Sequence, residues 1–321
     1  MRFQTYFVSG GAGFIGSHLV RRLLGGSGTS RVVVFDNFSS GRRDHLSDVG
    51  SDPRLEIIEG DLKRKDEVCA AMQGVEAVFH LAANPDIARA VTQPDIDFWE
   101  GTFLSQNILE GIRVNGVGHL FYTSGSGVYG DRADTAFRED FGPCIPISTY
   151  GASKLACEAL IASYCHMFGL QALAFRFANV VGPLQTHGVG YDFVRRLKDD
   201  PTRLRILGDG QQSKSYIHVE DVLDAIWIAA ASASTPYDVF NVATDDSITV
   251  TEIAALACSI AGATNVNYEY TGGDRGWKGD VPVVRFDCSS IKSRGWRCRR
   301  NSAQAIGDSL RSMWQQIQAR S

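Results

Sequence analysis

A chain of 321 residues, 44% hydrophobic and 21% charged, suffices for one large globular domain or two smaller ones. Its formal net charge of −4 gives no electrostatic case for a nucleic-acid partner. No apolar run reaches the roughly 20 residues needed to cross a bilayer, and the N-terminus lacks the basic-then-apolar pattern of a signal peptide, so no membrane association is expected. The seven cysteines form no C-x-x-C pair and no metal-ligand spacing. They read as reduced thiols, with no metal, in a cytoplasmic protein.

A strand-like run at 5–9 leads into VSGGAGFIGSHLVRRLL (8–24), where Gly10, Gly13 and Gly16 stand between that strand and a helix over 14–24. Glycines so placed allow a tight turn, close approach of backbone to a pyrophosphate, and close packing of helix on strand. The phosphates then meet the N–H groups and positive dipole end of the first turn, which holds Phe14 and Ile15. A second strand over 31–35 ends at Asp36 and Asn37, and Asp36 lies 20 residues past Gly16. A carboxylate there accepts hydrogen bonds from an adenosine ribose and repels a 2′-phosphate, which favours NAD. Arg42 and Arg43 keep NADP open. A third strand, 55–59, leads to Asp61 and Leu62, and a fourth, 77–81, to Leu81, Ala82 and Ala83. A doubly wound sheet opens its crevice at such carboxyl ends, so these residues are expected to line the cofactor. The alternative for Asp61 is an ordinary turn residue or helix cap.

Helical patterns at 65–72, 96–113 and 150–168 alternate with strands at 119–123 and 171–175, and the apolar runs suit strands buried on both faces. The rhythm predicts an α/β fold: a Rossmann-type doubly wound parallel sheet over 1–180, taking in segments near 216–242. A smaller C-terminal α/β substrate domain over 181–321, with helices at 191–198, 219–231, 250–261 and 302–318, is expected to interleave with it. Within 150–168, the stretch STYGASK (148–154) sets Tyr150 and Lys154 one helical turn apart. Alone, such a pair is as readily a solvated helix face as a chemical site.

The segments GGAGFIGSHLV, HLAA, VYG (128–130), YGASK (150–154), RFANVVGP (176–183) and GDGQQSKSYIHVEDV (208–222) follow the order found in the extended short-chain dehydrogenase/reductase family. Over nearly its whole length the chain resembles the nucleotide-sugar epimerase branch of that family. The resemblance implies an NAD-binding Rossmann domain and a nucleotide-sugar partner, a UDP-hexose or derivative. A phenol is a poor base at neutral pH, but a nearby ammonium and a positive nicotinamide ring favour the phenolate. The resemblance therefore implies that Tyr150 takes a proton from a sugar hydroxyl, with Lys154 supporting it and bonding the nicotinamide ribose. It implies epimerisation at C4 through a 4-keto sugar, and a homodimer built on the helices near 96–113 and 150–168.

Asn179, Val189, Ile206, Lys214, Arg275 and Asp280 are the substrate contacts that the resemblance implies. Lys214 replaces the usual arginine and offers charge without a bidentate fork, while Arg275 sits two residues earlier than usual. In relatives a serine or threonine shares the sugar proton at the position occupied here by Gly125, so Ser126 or Ser124 is expected to substitute. The acidic residues that serve dehydratases and decarboxylases are replaced by Ser126 and Gly127. Gly101 stands where relatives carry an asparagine. A reductase, an unusual dehydratase and a non-catalytic NAD-binding regulator stay open as alternatives. His80 and His218 are expected to be structural, and so is Cys144: a catalytic thiol there would suggest a 3,5-epimerase, but relatives place that cysteine near the serine position instead.

Overall fold

The computed structural model describes residues 1–132 and 135–319. The first half runs β1 (Thr5–Ser9), α1 (Phe14–Leu24), β2 (Arg31–Asp36), β3 (Leu55–Glu59), α2 (Lys65–Ala71), β4 (Ala77–His80), α3 (Phe103–Asn115), β5 (His119–Gly125), β6 (Ala136–Phe137) and α4 (Thr149–Phe168). Then come β7 (Gln171–Phe177), β8 (Asn179–Val181), α5 (Val189–Asp199), β9 (Arg203–Ile206), β10 (Ser213–Lys214), β11 (Tyr216–His218), α6 (Val219–Ser232) and β12 (Tyr237–Val242). The chain ends with β13 (Ile248–Thr249), α7 (Val250–Ala261), β14 (Asn267–Tyr270), β15 (Arg285–Phe286), α8 (Ser289–Ser293) and α9 (Ser302–Ala319).

Seven strands form one parallel sheet in the order β12-β7-β5-β4-β1-β2-β3. The chain moves outward from β1 to β3, then returns to β4 on the other side. The order reverses between β1 and β4, and a crevice opens outside their carboxyl ends. Alternate residues face opposite sides, and both sides are covered. Val8, Val34, Phe79 and Phe175 pack with Leu19 of α1 and Ile226 of α6, while Phe7, Val33, Val78 and Tyr122 pack with Val68, Ile108 and Ile161. Two covered faces explain why the strands read as unbroken apolar runs.

A smaller lobe gathers α5, α7 and α9 around Phe193, Leu204, Ile253, Ile306 and Leu310. Its helix α7 starts with a capping box, Thr249 and Glu252 each bonding the other's backbone N–H. The short strands β8 and β11 pair in parallel, with Asn179 opposite Tyr216, just past the end of β7. Among the described residues, no helix is long and apolar enough to cross a membrane.

Two elements differ from the sequence expectation. The helix expected over 96–113 is a π turn at Phe98–Thr102 followed by α3. The wider turn brings the Asp97 carbonyl and the Thr102 hydroxyl together onto Ser153 Oγ, at 2.7 and 2.9 Å. Strand β12, which the sequence did not mark as a strand, forms the sheet edge beside β7.

Candidate active site

At the β1–α1 junction Gly10 has φ +70°, and a Cβ there would lie 2.9 Å from the Ala82 nitrogen. A Cβ on Gly16 would lie 2.2 Å from the Gly10 carbonyl oxygen, so helix and loop meet at a distance only glycine permits. Helix α1 starts without a side-chain cap and with no acidic residue in its first turn. Its leading N–H groups and positive dipole end are left for an anion. Phe14 is buried and Ile15 half-buried in that turn. Asp36, at the end of β2, accepts the Ala12 and Phe38 N–H groups, each at 2.9 Å. Burial pushes its carboxyl up despite those bonds. Asn37 is exposed, Leu62 buried, and Leu81, Ala82 and Ala83 half-buried along the same sheet end. Asp61 accepts the Lys63 N–H at 2.9 Å, which orders the turn before α2. Arg42 is paired with Asp44 at 2.8 Å and Arg43 with Glu59, both at the exposed surface. The glycine cradle, uncapped helix and buried carboxylate fit NAD.

His80 forms the floor of the crevice. Its Nδ1 lies 2.7 Å from Ser9 Oγ and its Nε2 2.9 Å from Ser105 Oγ. Ser9 Oγ also receives the Leu81 and Ala82 N–H groups at 3.2 and 3.4 Å, which leaves its own O–H to donate to His80 Nδ1, while Nε2–H of the neutral ring donates to Ser105. Burial, reinforced by the charge of Lys154, pushes it down to about 3. His218 caps α6, accepting the Glu220 N–H at 3.2 Å.

Helix α4 starts at Ser148, whose hydroxyl accepts the Gly151 N–H at 3.1 Å. Tyr150, in the first turn, is half-buried, whereas Lys154 is 5% exposed. The lysine Nζ donates to the Thr123 carbonyl at 2.7 Å and lies 5.5 Å from the centroid of the Tyr150 ring. The strand end β5 thus fixes the ammonium beside the phenol.

The two candidate hydroxyls behave differently. Ser124 is buried and donates to Glu158 at 2.5 Å, and Glu158 is itself paired with Arg176 at 2.7 Å. A buried hydroxyl committed to a carboxylate is not available to a substrate, which corrects the expectation for Ser124. Ser126 is half-buried at the start of the short turn Ser126–Tyr129, and no side-chain partner engages it among the described residues. Gly125 is extended at φ −163° and a Cβ there would meet nothing within 4 Å. Gly127 is tight against α4: its Cβ would lie 3.3 Å from Gly151 Cα, and one on Gly151 only 2.3 Å from the Gly127 oxygen. Gly101 has a steric reason of its own, since a Cβ there would lie 2.4 Å from Ser153 Oγ. Cys144 donates to the Phe141 carbonyl at 3.4 Å, and burial pushes its thiol up.

The outer rim holds Asn179, exposed, with its amide on the Ser215 carbonyl at 3.3 Å. Lys214 pairs with Asp280, and Arg275 reaches the Asp280 carbonyl at 2.7 Å and Asp131 at 2.6 Å. Asp131 was not anticipated from the sequence, because its partner lies far along the chain. Val189 is half-buried at the start of α5. Ile206 has no exposed surface and belongs to the core of the smaller lobe, a correction to its expected place in the substrate site.

A glycine-cradled helix at the switch point of a parallel sheet, with Tyr150 and Lys154 held at the carboxyl end of β5 in the same sheet, is the arrangement of a dinucleotide-dependent enzyme of the Rossmann class. The chain belongs to the NAD dependent epimerase/dehydratase family, whose model matches residues 6–243. It is 34% identical over 263 residues to a UDP-glucose 4-epimerase of Mycolicibacterium smegmatis, covering 80% of this chain and 82% of that one. A crystal structure of UDP-galactose 4-epimerase is 36% identical, with a TM-score of 0.85 over 97% of this chain and 99% of that one. A dTDP-glucose 4,6-dehydratase from Streptomyces venezuelae is 26% identical, with a TM-score of 0.90 over 99% of this chain and 98% of that one. The protein is an NAD-dependent enzyme of the nucleotide-sugar epimerase and dehydratase group.

Proposed function

We propose that the protein inverts C4 of a nucleotide-linked hexose, a UDP-hexose or derivative, and keeps its NAD throughout. The observation that carries this reading is the strand end 125–127 facing α4: it bears a hydroxyl and two glycines but no carboxylate, and Gly127 stands tight against Gly151. Elimination of water needs an acid and a base at neighbouring carbons, and this strand end supplies neither. NAD, when bound, supplies reversible hydride acceptance. Tyr150 takes the hydroxyl proton and later returns it, while Lys154, pinned to Thr123, keeps a positive charge beside the phenol. Ser126 shares the hydroxyl with Tyr150. Asn179, Lys214, Arg275 and Asp280 hold the nucleotide diphosphate and ribose at the rim. The epimerase relatives support UDP as the nucleotide. The close superposition on a dehydratase makes dehydration the second reading.

The test is to incubate the purified protein with UDP-, dTDP- and GDP-hexoses, without added cofactor, and follow C4 inversion by NMR. Inversion is expected, and Tyr150→Phe is expected to lower turnover by about 10²- to 10⁴-fold with NAD content unchanged. Loss of water from the sugar instead of inversion overturns this reading. The protein is further expected to pair with a second copy through α3, the π turn before it and α4, where Phe98 of the π turn and Met167 and Phe168 of α4 are 50%, 69% and 49% exposed. Light scattering at the monomer mass would refute that.

A further inference from the structure

Two cations and two carboxylates face one another where the two lobes meet. Asp131 directly follows the buried turn that ends at Gly130, on the sheet side, whereas Lys214, Arg275 and Asp280 come from the smaller lobe. The loop carrying Arg275 is tied at both stems. Gly272 N–H donates to the Gly208 carbonyl at 3.0 Å, and Ser213 N–H donates to the Pro282 carbonyl at 3.1 Å. Between those stems the loop reaches α4: a Cβ on Gly279 would come 3.1 Å from the Cβ of Ser148, two residues before Tyr150. The loop that carries Arg275 therefore borders the start of α4, and both cations are already occupied. Arg275 Nη2 is 2.6 Å from Asp131, and Lys214 is paired with Asp280. The Asp131 and Arg275 side chains are 27% and 33% exposed, so water and ligands reach the pair.

We propose that Asp131 is an internal competitor for the anionic part of the substrate, holding Arg275 until a nucleoside diphosphate displaces it. The inference rests on the nucleotide-sugar reading above. A guanidinium presents a planar donor fork, and a carboxylate seated on it takes donors that a phosphate oxygen needs. A single carboxylate offers one charge, whereas a diphosphate engages Arg275 and Lys214 together and wins the exchange. Small monoanions engage only one of the two cations and do not. Asp131 thus lowers affinity for every anion, and only one able to span both cations compensates. Displacement also frees Asp280 from Lys214, next to where the nucleotide's ribose would lie.

Titration calorimetry on the full chain at fixed salt tests this with UDP, dTDP and GDP as probes, on the wild type and on Asp131→Asn, Asp131→Ser, Asp131→Glu and Arg275→Gln. Removing the competing charge is expected to tighten binding of the best probe about two- to fivefold, the weight of one half-exposed ion pair. Asp131→Glu is expected to stay near the wild-type value, and Arg275→Gln to bind more weakly. A residue that merely stabilised the loop would give the opposite sign on neutralisation. Unchanged or weaker binding in both neutral variants, with folded-state circular dichroism retained, overturns the proposal, as does an Arg275→Gln protein that binds like the wild type. If the wild type binds none of the three diphosphates, the nucleotide-sugar reading itself fails, and this inference fails with it.

Discussion

Ser124 and Ser126 are two residues apart yet belong to different parts of the molecule. Ser124 completes a buried set in which Glu158 receives its hydroxyl at 2.5 Å and the Arg176 guanidinium at 2.7 Å. Ser124→Ala removes one donor from a buried carboxylate and is expected to cost about 1–3 kcal/mol in chemical denaturation, with turnover nearly unchanged. Ser126→Ala is expected to do the reverse: an unaltered melting temperature and turnover reduced tenfold or more. Gly125 is extended and unhindered, so Gly125→Ser should fold normally and restore part of the turnover of Ser126→Ala. Absence of any recovery would deny the space above Gly125 to the reacting hydroxyl. The choice between the two serines was not legible in the sequence, because Glu158 lies 34 residues from Ser124. Gly10, Gly13, Gly16 and Asp36 could be marked from spacing within one or two consecutive elements, whereas Tyr150 and Lys154 stood out only through the resemblance to a known family. The Asp131 contact with Arg275 spans 144 residues and leaves no local trace.

At the scale of elements, the π turn and α4 are fitted to each other at Gly101 and Ser153. Ser153 Oγ is held by the Asp97 carbonyl at 2.7 Å and the Thr102 hydroxyl at 2.9 Å, which leaves no place for a Cβ at 101. Asp97 in turn receives Thr149 at 2.7 Å and Asn84 at 2.8 Å, so the start of α4 is tied to the loop after β4. Gly101→Ala is expected to destabilise by about 1–3 kcal/mol through overpacking. The same substitution in a Ser153→Ala background should cost at least about 0.5 kcal/mol less, a coupling that urea denaturation of the four proteins would measure. Strict additivity would contradict the contact. The sequence suggested one continuous helix here, because its apolar spacing survives the π turn and only a neighbour some 50 residues away reveals the extra residue.

For the molecule as a whole, its buried histidines contribute to the loss of stability in acid. His80 is pushed down to about 3, and burial lowers His45, His119, His187 and His218 as well. Each binds a proton more readily unfolded than folded, so stability is intact above about 6.5 and falls as the pH is lowered toward the folded values. While His80 alone differs between the two states, its share is about 1.4 kcal/mol per pH unit. His80→Gln is expected to flatten the fall in unfolding free energy between pH 6 and 4, read from urea denaturation, by about 1.4 kcal/mol per pH unit. An identical pH profile would mean that His80 is already protonated in the fold.

The β12 edge strand has a consequence for how the molecule is made. Residues 237–242 close the sheet against β7 only after the chain has passed through α5, β9 and α6. A ribosome therefore delivers the nucleotide-binding half with an unpaired parallel edge that stays open until residue 242 has left the exit tunnel. Nascent chains halted just short of that point should attract holding chaperones and succumb to protease, and those released beyond it should resist.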